Sequence, residues 1–167
     1  METTQTALAL TSAVFKDGRT VPDSAVFSGF GCTGGNRSPD LAWSGAPAGT
    51  KSYAITIWDP DAPTGVGFVH WVLFDIPASV TSLAENAGAD ARAGVGATHG
   101  TTDFGETAYG GPCPPPGHGV HHYHLVVYAL DVPKLGLDKT TSYAKFKFVS
   151  NAHVLAKGEI VGLYERK

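Results

Sequence analysis

The side chains able to do chemistry cluster in three places. Asp59-Pro60-Asp61-Ala62-Pro63-Thr64 holds two carboxylates in a proline-stiffened loop. His70 precedes Trp71 in an otherwise apolar run. Gly117-His118-Gly119-Val120-His121-His122-Tyr123-His124 packs four imidazoles and a phenol into eight residues. Imidazoles and a phenol can donate hydrogen bonds to an oxyanion. A carboxylate cannot attract an anion, but it can orient an imidazole and support its protonation. The set points to recognition of a phosphate- or carboxylate-like group.

The elements that carry these residues explain how they could meet. Ser52 to Trp58 reads as a strand with Tyr53, Ile55 and Ile57 on one face, and Asp59 continues that face. Val69 to Ile76 reads as a second strand, with His70, Val72, Phe74 and Ile76 on one face. His121 to Leu130 is a third, with His121, Tyr123, Leu125, Val127 and Ala129 together. Strict alternation turns Asp59, His70, His121 and Tyr123 toward the core side. Inward polar groups must find partners or line a cavity. If the three strands are neighbours, all four meet at one end of a sheet.

Other segments are shorter. Leu8 to Phe15, Val21 to Phe27 and Leu41 to Ser44 read as strands, and residues 79 to 120 are mostly loop. Within that loop, Gly110-Gly111-Pro112-Cys113-Pro114-Pro115-Pro116-Gly117 runs toward His121, its prolines stiffening a rim and its glycines letting N–H groups approach a ligand. Thr141 to Ala156 is the helix expected, with Ala144, Phe148, Ala152 and Leu155 at helical spacing, followed by a strand over Glu159 to Tyr164. Short strands, many turns and a late helix imply one antiparallel sandwich domain with a helix packed on it.

Bulk composition narrows the classes. The 167 residues suit one domain with a sizeable core. A net charge of -3 gives no global field for nucleic acid, which is not an expected partner. No apolar run approaches the roughly 20 residues of a bilayer span, so no integral membrane association is expected. The start METTQTALAL lacks the basic residues of a leader, which places the protein in the cytoplasm by expectation. There Cys32 and Cys113 would be reduced packing residues rather than a disulfide.

Two rival chemistries use the same residues. A metal needs ligands converging on one point, and a strand sends His121 one way and His122 and His124 the other. No metal and no cofactor is therefore expected. Acid–base catalysis by His70, His121, Tyr123 and Asp59 is the alternative, an isomerase- or cyclase-like use of the pocket. No Gly-x-Ser-x-Gly elbow is present. Cys113, near the rim, reads as an ordinary loop thiol rather than a nucleophile.

Asp59-Pro60-Asp61-Ala62-Pro63, His70-Trp71 and Pro114-Pro115-Pro116-Gly117-His118-Gly119-Val120-His121-His122-Tyr123 together resemble the phosphatidylethanolamine-binding protein family, and its bacterial, Raf kinase inhibitor-like branch more closely. Gly31-Cys32, Asn36-Arg37-Ser38-Pro39, Thr102-Asp103-Phe104-Gly105 and Gly158 to Tyr164 add to the likeness, which spans roughly residues 8 to 165. The resemblance implies a mainly β, two-sheet Greek-key sandwich with a C-terminal helix. It also implies a pocket for phosphate, the phosphorylethanolamine head group or acetate. Asp59, His70, His121 and Tyr123 would form its core, Asp61 and Pro63 one wall and Pro115 another, with Trp71 and His118 close by. Relatives are described as kinase or protease inhibitors, so a protein partner of that kind is implied, and a homodimer is compatible with exposed sheet faces. The chain has His122 where the family usually has Arg. It faces away from His121 and should not touch the ligand. Recognition of a small anion, rather than bond-making, is the expected function.

Overall fold

The computed structural model describes residues 7–167. The first six residues, part of the start read above for a leader, lie outside them. The strands are β1 (Ala9–Thr11), β2 (Ser28–Gly29), β3 (Cys32–Thr33), β4 (Leu41–Ser44), β5 (Ser52–Asp59), β6 (Phe68–Pro77), β7 (Ser82–Leu83), β8 (Thr98–His99), β9 (His121–Leu130) and β10 (Val154–Tyr164), with helix α1 at Tyr143–Ser150. A three-stranded sheet runs β1-β4-β7 and a five-stranded sheet runs β10-β9-β5-β6-β8, while β2 and β3 form a separate hairpin. All of these strand pairs are antiparallel. In the larger sheet β9 returns by a long connection to lie beside β5, giving the order β9-β5-β6-β8. That is the Greek-key arrangement. The expected fold class is observed.

Two apolar layers hold the fold. Leu41, Trp43, Tyr53, Ile55, Trp71, Leu125 and Val127 fill the space between the sheets. The Trp43 and Tyr53 rings meet edge-on at 5.4 Å and join β4 to β5. The second layer lies on the outer face of the larger sheet, where Phe146 of α1 packs between Phe74 and Tyr128. Among the described residues, no helix is long and apolar enough to cross a membrane.

Several expectations need correction. The helix is shorter than Thr141 to Ala156: Ser142 caps it by accepting a bond from the Lys145 N–H, and it ends at Ser150. Its buried face is set by Phe146 and not by Phe148, whose side chain is solvent-exposed. Residues 154 to 156, read as helix, begin β10 instead. Val21 to Phe27 is not a strand but holds a 3-10 turn at Asp23–Ala25, started after Pro22. Leu8 to Phe15 shrinks to β1 because Asp40 accepts bonds from the Ser12 hydroxyl and the Ala13 and Val14 N–H groups, closing a turn there.

The alternation in β6 is also broken. Ile57 faces Trp71 and Trp58 faces Val69, so His70 is an extra residue on its strand. A bulge of this kind re-aims a side chain. A second irregularity falls at Asp75, whose φ is +56°. Trp71, Leu73 and Ile76 therefore face the inter-sheet core while Val72 and Phe74 face α1. His70 shares its side with Trp71, not with Val72 and Phe74 as simple alternation required.

Candidate functional site

Strands β9, β5 and β6 are adjacent, and their ends bring Asp59, His70, His121 and Tyr123 around one cavity of about 200 Å³. Pro63 and Pro115 line it from the two proline loops. Trp71 does not reach it. Its side chain is fully buried in the core and its indole N–H donates to His99 Nε2 at 2.9 Å. Asp61 and His118 stand outside the lining and act on it through neighbours.

A relay of side chains organises the polar end. Asp59 is buried and one of its oxygens accepts the Asp61 N–H at 2.8 Å, closing the turn of the loop. The other lies 2.6 Å from His121 Nδ1. A carboxylate can only accept there, so Nδ1 carries the proton and Nε2 is directed away from Asp59. His121 Nε2 in turn meets His118 Nδ1 at 2.6 Å. His121 is buried while His118 is exposed, so the outer member can swing into solvent without opening the core.

His70 is held differently. Its Nδ1 lies 2.8 Å from the Gly110 carbonyl and 3.1 Å from that of Gly111, so Nδ1 donates to both. Burial pushes the His70 pKa below its ordinary value, and the carbonyl bonds and the Asp59 charge only partly oppose this. The neutral ring then offers Nε2 as an acceptor. Neither His70 Nε2 nor the Tyr123 hydroxyl has a hydrogen-bond partner among the described residues, and neither is sealed off. Burial, with the Asp59 charge, raises the Tyr123 pKa, so its phenol stays a donor.

The loop that supplies those carbonyls depends on its glycines. A Cβ on Gly111 would collide with the Ala25 carbonyl oxygen, and one on Gly110 with the Phe104 ring. The expectation that loop N–H groups reach a ligand does not hold at the positions described. Gly110 N–H donates to the His70 carbonyl, Gly111 N–H to Asn36 Oδ1, and Gly117 N–H to the Arg166 carbonyl. The loop faces the site with carbonyls and apolar surface.

Asp61 and His122 form a pair at the edge. Asp61 Oδ2 accepts from the His122 N–H and lies 2.8 Å from His122 Nδ1. Burial acts to raise the Asp61 pKa, but the His122 bonds outweigh it and hold the carboxyl below its usual range. His122 ties the aspartate loop to β9 and lies outside the pocket lining, on the side expected. His124 reaches Glu159 at 3.4 Å, so each outward imidazole has its own acid.

Sequence reasoning missed the apolar half of the cavity. Phe30, Phe68, Phe104 and Pro114 line it together with Cys113. The available signal was Phe30 between two glycines, an aromatic side chain in a loop with nothing to bury it. The reduced-thiol expectation is overturned as well. Cys32 and Cys113 are joined in a disulfide, with no free cysteine left, which also removes Cys113 as a nucleophile. Loop geometry, invisible in the sequence, brings their Cα atoms to 6.1 Å.

Comparison with known proteins identifies the family and the fold. The family model described as phosphatidylethanolamine-binding protein matches residues 11–165. YbcL of Escherichia coli is 47% identical over 163 residues, covering 96% of this chain and 89% of that protein. YbhB of the same organism is 40% identical, covering 94% and 99%. The YbcL crystal structure, described as a new member of the mammalian PEBP family, superposes with a TM-score of 0.92 over 97% of this chain and 100% of that one, at 47% identity. A PEBP homologue from Chlamydia trachomatis gives a TM-score of 0.81 at 32% identity, covering 96% and 99%. The chain belongs to the phosphatidylethanolamine-binding protein family.

Proposed function

We propose that the protein binds a small oxyanion, phosphate- or carboxylate-like, at the His121 end of this cavity. The observation that carries the reading is the Asp59–His121–His118 chain: a buried imidazole fixed on one side by a carboxylate and met on the other only by an exposed histidine. An anion would take the place of His118 and accept a bond from His121 Nε2, which donates when the ring carries both protons beside the Asp59 carboxylate. The Tyr123 hydroxyl donates a second bond. His70, neutral when empty, accepts a proton-bearing oxygen of the ligand or takes up a proton as a fully ionised ligand binds.

Isothermal titration with inorganic phosphate tests this. Binding is expected in the parent protein and is weakened about 10- to 150-fold in His121→Ala, from one charge-assisted bond. Equal affinity in the two proteins would reject the site.

Acid–base catalysis is the second reading, favoured by the same Asp59–His121 pair, which resembles the oriented imidazole of proton-transfer enzymes. Turnover of a small anionic metabolite that vanishes in Asp59→Asn would establish it. The Cys32–Cys113 bond supports an oxidising compartment over the cytoplasmic location expected from the sequence.

A further inference from the structure

The apolar half of the cavity constrains what is attached to the anion. Phe30 sits at the tip between β2 and β3, is 78% exposed and has a φ of +50°. Both features are unfavourable for an idle phenylalanine. An exposed ring gains nothing from burial, and a bulky residue is strained in the left-handed region. Even so, the tip is tightly held. The flanking Cys32 is bonded to Cys113, and the Cys113 sulfur lies 3.6 Å from the Gly29 carbonyl oxygen and 3.7 Å from that of Phe30.

The ring also continues an ordered surface. Phe27 stacks on Phe104 with centroids 4.3 Å apart and planes 16° from parallel. Phe30 lies nearly parallel to both, 5.6 Å from Phe27 and 6.2 Å from Phe104. Phe68 closes the far side edge-on to Phe104 at 4.8 Å. Phe30, Phe68 and Phe104 line the same cavity as His121 and Tyr123. The Phe27, Phe30 and Phe104 rings are nearly parallel, and the exposed Phe30 ring leaves its surface open to a partner, where an aromatic group gains more than an alkyl chain.

Size sets a limit. An apolar cavity of about 150 Å³ accepts benzene. The 200 Å³ here admits one ring beside a small head group.

We infer that the ligand is an aromatic acid or aryl phosphate whose anionic head meets His121 and Tyr123 while its ring lies against Phe30, and that Phe30 sets this preference. The inference rests on the oxyanion reading above. Its added content is the planar body and the residue that selects it.

Phenyl phosphate, butyl phosphate and inorganic phosphate, titrated calorimetrically into the parent protein and Phe30→Asn, test it. Asparagine suits the left-handed backbone better than phenylalanine and removes the ring, so the variant is expected to fold. In the parent, phenyl phosphate is expected to bind about 10-fold tighter than inorganic phosphate, the order of one good aromatic contact. Butyl phosphate should fall between them. In Phe30→Asn the phenyl-to-phosphate ratio should fall toward one. Equal affinities of phenyl and inorganic phosphate in the parent would overturn the inference while leaving the oxyanion site standing. So would an unchanged ratio in the variant, or butyl phosphate matching phenyl phosphate. Binding of none of the three would overturn both readings.

Discussion

The disulfide is the feature whose energetic weight can be worked most directly. It joins residues separated by 81 positions, one in the β2–β3 hairpin and one in the proline-rich rim. Loop-closure entropy for that length corresponds to about 4.5 kcal/mol removed from the unfolded state at 25 °C, a ceiling that measured bonds seldom reach. A loss of about 2–4 kcal/mol is therefore expected when both cysteines are replaced by serine. For a domain of this size that lowers the melting temperature by roughly 5–15 °C. Urea denaturation of the oxidised protein and of the Cys32→Ser, Cys113→Ser double variant measures the difference. Two free thiols per unreduced, urea-unfolded chain would refute the bond itself. A stability difference under about 1 kcal/mol with the bond shown intact would refute the loop-closure reasoning.

Tyr123→Phe should weaken phosphate binding about 2- to 10-fold by calorimetry, with little change in urea stability, because the lost hydroxyl has no hydrogen-bond partner among the described residues. Gly111→Ala should cost about 1–3 kcal/mol in a denaturation curve, since its methyl group meets the Ala25 carbonyl and the loop must shift. Burial lowers the pKa of both His70 and His99, so the folded state favours their neutral forms. That contribution is complete above the unfolded value near 6.5 and is lost as pH falls below it toward the folded values. Urea stability should accordingly decline between about pH 7.5 and pH 5, where ordinary carboxylates are still ionised. A flat or rising profile would contradict neutral burial of these rings.

The polar half of the site was legible because β5 and β9 are regular. Alternation from Tyr53 to Asp59 and from His121 to Ala129 put the right side chains on the inner face. For His70 the same rule named the right residue through the wrong geometry, since a bulge and not the pleat aims it inward. The missed features are those that contacts between distant segments create. Nothing local to Cys32 or Cys113 foretells their pairing, and nothing near Phe30 or Phe104 announces that their rings come together. The expected helix overran at its C-terminal end because Val154 and Ala156 pair with Leu130 and Ala129, and tertiary strand pairing overrode local periodicity.

The position of β9 has a consequence for how the site comes into being during folding. β9 lies between β5 and β10 and pairs with both, although β5 and its hairpin partner β6 precede it by a long stretch of chain. Asp59 and His70 belong to that earlier hairpin, whereas His121 and Tyr123 arrive with β9. The Asp59–His121 bond, between residues 62 positions apart, can close only when β9 docks. Non-local pairings of this kind form slowly. Recovery of ligand binding during refolding would thus time the docking of β9, a step that probes of β5 and β6 alone would not see.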